Sequence, residues 1–299
     1  GAMWTPRLLR GGPLVRRGSV RASSNEAVIR EKVHPTIKGR RRFYKQVAVQ
    51  ALDGSGATKY EVQLDGRSLR TPGRRAMHFD SQELAMAVAL EWDAQAPEGI
   101  EPATMPLMSL MSTWLDQTSQ DRPTVITGAL KFLPTDTCCF FNEEAPATRN
   151  LVRRQEKHFF KLLDWLADDW GVELSTTNGI TKVKHEDEAV RRVEAMLDAL
   201  DDAALTAVQC ATMEGKSVVL ALALVLRRVT PKAAEEIARL EEEFQMEQWG
   251  LVEGGHDLDR AASKVQFAST SAFLRLLDGE DGHEHRVHAL RQACEKLAN

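Results

Sequence analysis

The chain has 299 residues, 43% of them hydrophobic and 27% charged, with a formal net charge of −4. That apolar content excludes an intrinsically disordered protein, and 19 Gly with 11 Pro exclude a collagen-like one. The balance is that of a soluble globular protein, and it hides an asymmetry, since residues 1–42 hold eleven Lys and Arg against Glu26 and Glu31, leaving the remainder at −13.

Gly1-Ala2-Met3 reads as a cleavage scar ahead of a start at Met3. From Trp4 to Asn25 there are five Arg, three Ser and no acid, the composition of a mitochondrial transit peptide. Residues 1–39 are therefore expected to be a transit peptide and linker. Arg40-Arg41-Arg42 lacks the aromatic interleaving of a nucleic-acid patch, and the acidic remainder would repel a phosphate backbone.

From Phe43 to Phe79 the hydrophobic period is near 2. Val47, Val49 and Ala51 alternate with Ala48 and Gln50, a turn is expected at Asp53–Gly56, and Tyr60, Val62 and Leu64 share one face. Asp65-Gly66 is a two-residue hairpin signal. Three or four antiparallel strands in a meander follow from this.

The period then becomes helical. Asp80 to Glu83 has the spacing of a capping box with Asp80 as the cap, and Leu84, Val88 and Trp92 share a face. Leu107, Leu110, Met111, Trp114 and Leu115 form the next stripe. Arg122-Pro123 opens another helix, and Thr135–Phe141 is β-prone. The polar segment Glu143–Thr148 predicts a boundary, which gives an N-terminal α+β domain over 40–145 and an all-α helical-bundle domain over 146–299.

Beyond it, one stripe runs from Leu151 to Trp170 and stops at Gly171, and a second spans Val190 to Leu200. Val218–Leu226 is apolar on every side, which predicts an enclosed central helix; it is far short of the roughly 20 residues that cross a bilayer, so no membrane insertion is expected. Thr230-Pro231 predicts a capped helix running to Gly250, followed by helices over Asp259–Leu277 and Glu284–Ala298.

Chemical motifs are few. Gly215-Lys216-Ser217 imitates the end of a phosphate loop, but Cys210 stands where the leading Gly belongs. His283, His285 and His288 lack a completing ligand set, so no metal is expected. Four scattered cysteines suit a reducing compartment, and Cys138-Cys139 reads as a buried pair on opposite faces of a strand. His256-Asp257 would need a nucleophile to act as a hydrolase. The unusual segment is Leu240–Asp259, where Glu241, Glu242, Glu243 and Glu247 crowd Phe244 and Trp249. It reads either as a solvated acidic helix, which composition favours, or as a recognition edge anchored by Trp249.

Four stretches carry a resemblance: Arg42-Phe43-Tyr44-Lys45, Leu64–Pro72, Ala87–Gln95 with Met105-Pro106-Leu107, and Arg239–Asp257 with its Trp-Gly-x-x-Glu-x-x-His-Asp pattern. In order and spacing they resemble the family of mitochondrial ATP synthase assembly factors that chaperone the alpha subunit. The resemblance covers roughly residues 40–275. It implies an α+β fold, no catalysis and no cofactor. It also implies a matrix location and a monomer that holds the unassembled alpha subunit until beta subunit replaces it. The family's sensitive acidic position falls on Glu253, with Asp257 second; His256, Trp249, Glu243 and Glu247 complete the expected partner-binding set. Departures are Phe140-Phe141 where Tyr-Arg is expected, Ser68 where Pro is frequent, and the stretch after Leu277, which matches nothing in the family. A hydrolase using His256 and Asp257 and a general scaffold are the rival readings.

Overall fold

The computed structural model describes residues 39–52, 58–251 and 254–298, without the side chains of 279, 280 and 298. The transit-peptide reading, the turn at Asp53–Gly56 and Glu253 lie outside the described residues.

Strands β1 (Val47–Leu52), β2 (Lys59–Leu64) and β3 (Arg67–Ser68) form an antiparallel meander in the order β1-β2-β3. Val49 stands opposite Val62 and Val47 opposite Leu64, so the alternating apolar residues share one face. Asp65 and Gly66 adopt φ of 49° and 75°, the doubly left-handed pair that a type I′ hairpin requires and that Gly supplies without steric cost. The Asp65 carboxylate also accepts from the backbone N–H groups of Lys45 and Gln46, which fixes where β1 begins.

Helix α1 (Gln82–Asp93) covers this sheet with Leu84, Ala85, Val88, Ala89 and Trp92. Its cap is Ser81, not Asp80: the Ser81 hydroxyl accepts from Leu84 N–H, and it donates to the Leu276 carbonyl, a tertiary partner invisible to local spacing. Asp80 instead pairs with Lys59. Helix α2 (Pro106–Thr113) continues into a π-helical turn at Trp114–Thr118, and α3 (Arg122–Leu130) is capped by Asp121.

Thr135–Phe141 is not a strand. It forms 3-10 turns at Leu133–Thr135 and Thr137–Cys139, and only Phe140 makes an isolated bridge, to Thr177. The buried Asp136 side chain accepts from Cys138 N–H and bends the chain there, a local bond that outcompetes β propensity. Cys138 and Cys139 are both fully buried all the same.

The helical region holds α4 (Arg149–Gln155), a π-helical turn at Glu156–Phe160, α5 (Lys161–Trp170), α6 (Asp187–Ala199), α7 (Asp202–Gly215) and α8 (Val218–Val225). Every residue of α8 is buried, as its unbroken apolarity requires. The helix expected from Pro231 to Gly250 is two, α9 (Pro231–Ala238) and α10 (Leu240–Trp249), broken at Arg239. There the buried guanidinium reaches Glu242 at 2.6 Å and the His256 carbonyl at 3.4 Å. The two C-terminal helices are in fact one, α11 (His256–Ala298). Gly282 lies within it, and a Cβ there would overlap the Asp278 side chain, which turns inward to pair with buried Arg286. Helix α11 packs against α1, α2, α6, α7, α8 and α9 and closes the core.

Candidate partner-binding site

The acidic helix α10 is not a row of waiting charges. Glu247 takes a two-pronged contact from Arg154 of α4, at 2.9 and 2.7 Å. Glu243 takes another from Arg260 of α11, with Nε at 2.8 Å. Glu242 faces Arg239, and Glu241 accepts from the buried Gln155 amide at 2.7 Å. Neighbouring like charges would weaken a free helix, and here Glu243 and Glu247 are offset by arginines from other helices, Glu242 by Arg239 at the helix start, and Glu241 by the neutral Gln155 amide. The Arg154 hydrogen bonds hold the Glu247 carboxyl below the usual carboxylate range.

These pairs line a cleft of about 360 Å³ between α4, α9, α10 and α11, shared by Arg154, His158, Glu243, Glu247, Arg260 and Lys264. Burial, reinforced by Lys157 and Lys161, lowers the His158 pKa below its ordinary value. Among the described residues that line it there is no Ser, Thr or Cys, and His256 is not one of them. Burial pushes the Cys139 thiol well above its usual range and that of Cys210 up to about 12. Among the described residues, no group of three or more His, Cys, Asp or Glu could hold a metal ion.

The other expected residues lie just past this cleft. Phe244 turns into the core at 7% exposure, whereas Trp249, at the end of α10, is 80% exposed. Leu251 and Leu258 are 48% and 62% exposed on either side of the turn into α11. A Trp and two Leu are thus left in water within ten residues of chain, and exposed apolar side chains of this kind serve protein contacts. Asp257 is exposed in the first turn of α11, where a carboxylate also complements the helix dipole. His256 is half-buried and its carbonyl is the one Arg239 grips. The structure therefore brings Glu243 and Glu247 together on the cleft, and sets Trp249, His256 and Asp257 beside the turn.

Sequence reasoning missed the counter-charges Arg154 and Arg260 and the apolar partners Leu251 and Leu258. The arginines are distant in sequence or on a neighbouring helix, and no local signal announces them. Leu251 and Leu258 could have been noticed, because they flank Gly254-Gly255, where two glycines leave little else to bury them.

Residues 41–167 match a protein family described as ATP12 chaperone protein. A mitochondrial protein atp12 of Schizosaccharomyces pombe is 26% identical over 252 residues, covering 82% of this chain and 84% of that one. The crystal structure of Atp12 from Paracoccus denitrificans superposes with a TM-score of 0.69 at 28% identity, over 79% of this chain and 98% of that one. A putative chaperone of Agrobacterium tumefaciens, Atu1473, gives 0.68 at 29% identity, over 80% and 86%.

Proposed function

Because the chain belongs to the ATP12 chaperone family, we propose that it holds the unassembled alpha subunit of the ATP synthase catalytic sector and keeps it from aggregating until beta subunit takes its place. It is a mitochondrial chaperone of ATP synthase assembly, not an enzyme. In this reading it acts in the matrix.

The observation that carries the client contact is the solvent exposure of Trp249 with Leu251 and Leu258 beside it. An unassembled subunit of an obligate complex exposes a large apolar surface, which is an aggregation hazard. A reversible cover for it needs a few aromatic anchors rather than a broad permanent interface. The bridged acids around the patch keep its frame rigid and hydrated, which limits non-specific sticking. Asp257, exposed in the first turn of α11, adds negative charge and steers a partner with a basic rim.

Crosslinking the full chain to purified alpha and beta subunits in parallel tests the proposal. Alpha-selective capture that falls at least tenfold in Trp249→Ala, with an unchanged circular dichroism spectrum, is the expected result. Equal capture of both subunits by wild type would overturn it. Glu253→Lys is expected to weaken capture with the fold retained; a chain that simply unfolds would make Glu253 a structural residue.

A further inference from the structure

Strand β1 has one side bonded to β2, and among the described residues nothing pairs with its other side. The ladder fixes which residues face which way. Asp65 N–H donates to the Gln46 carbonyl at 3.0 Å, and the register continues as Ala48 opposite Gln63, Gln50 opposite Glu61 and Leu52 opposite Lys59. On β2, Tyr60 exchanges bonds with Phe79 and Val62 accepts from Leu69, so these residues point away from β1. Antiparallel pairing alternates strictly. The backbone N–H and C=O groups of Val47, Val49 and Ala51 therefore point outward, and among the described residues no backbone bond reaches them.

Natural proteins guard such an edge with Lys, Pro, a bulge or a covering element. The strand itself has neither of the first two guards: Val-Ala-Val-Gln-Ala-Leu carries no charge and no proline, in a chain that is 27% charged. It extends about 20 Å. The helix packed on the same strand, α1, leaves Met86 and Leu90 exposed, and Phe43 is exposed just ahead of the strand.

We propose that the open edge of β1 captures an extended segment of the client, which adds to the sheet as a fourth strand. The proposal rests on the client reading above and names a second contact for it. Three outward N–H and C=O pairs at strand spacing are satisfied together only by another extended backbone, which fixes the occupant as polypeptide. Exposed Arg40, Arg41 and Lys45 precede the strand, so the segment that fits alternates apolar and polar side chains and carries acids at its Lys45 end. A second copy of this chain fits less well, because residues 43–299 carry −13 and repel themselves.

The test is amide exchange of the full chain, read residue by residue, with and without saturating purified alpha subunit. Exchange at Val47, Val49 and Ala51 is expected to slow at least tenfold on binding, while Ala48 and Gln50, already in the ladder, stay slow in both states. Ala51→Pro removes an outward donor without touching the β1–β2 bonds, and is expected to weaken capture at least tenfold with an unchanged melting temperature. Should that variant unfold, the exchange measurement on wild type decides alone. Bound alpha subunit with no change at the three amides overturns this proposal and leaves the client reading intact. Amides already protected in the free chain show the edge filled by the chain itself or by a second copy, and also overturn it. No binding of alpha subunit to wild type overturns the client reading and this one with it.

Discussion

A carboxylate sealed from solvent needs donors, and Asp136 has four: the N–H groups of Cys138, Val218 and Val219 and the hydroxyl of Ser217. Burial raises its pKa while these bonds oppose the rise. One side chain thus bends the Thr135–Phe141 segment and caps the central helix α8. Asp136→Ala leaves several buried donors unpaired, so a loss of at least about 3 kcal/mol is expected, read by urea unfolding. Glu91 is tunable by pH. It accepts from the Leu107 and Met108 N–H groups at the start of α2, and burial pushes its carboxyl up to about 7 from an ordinary 4.5. Between those two values the folded chain keeps a proton that the unfolded chain has released. Stability from this group therefore falls as pH rises through that window and stays low above it. Melting temperature plotted against pH should slope downward there, more shallowly in Glu91→Gln.

Helix α10 separates the two roles an aromatic residue can play. Phe244 is enclosed and Trp249 is in water, five residues apart. Phe244→Ala should cost about 3–5 kcal/mol of stability, whereas Trp249→Ala should stay within about 0.5 kcal/mol. Calorimetry on the two variants checks both, and equal losses would make Trp249 part of the core. Elements governed by local chemistry were legible in the sequence: the Asp65-Gly66 hairpin, the alternating strands, the all-apolar α8. Elements governed by distant partners were not. Nothing in the spacing of Thr230 to Gly250 shows that Arg239 will break the helix to reach His256. Nothing around Gly279 and Gly282 shows that an Asp278–Arg286 pair will carry α11 straight through. The same limit applies to the candidate site, where the acids and Trp249 could be named but their arginine partners could not.

At the scale of the whole molecule, α11 joins the regions on either side of Glu143–Thr148, because it touches α1 and α2 as well as α6 to α9. Its last third, unlike anything in the family resemblance, is still structural: Arg286, Leu290 and Cys294 are buried. Deleting residues 278–299 should lower stability by about 3–5 kcal/mol and expose the inner face of α6, measured as a fall in melting temperature with increased binding of a hydrophobic dye. An unchanged melt would make that stretch an appendage.

The position of α11 in the chain has a consequence for synthesis. Ribosomes build from the amino end, so the helix that covers α1 and α2 emerges more than 140 residues after them. Until α11 emerges, the flanks of α1 and α2 that it covers stay bare of it, and contacts this far apart form slowly. A protein that minds another newborn polypeptide therefore passes through an unguarded infancy of its own.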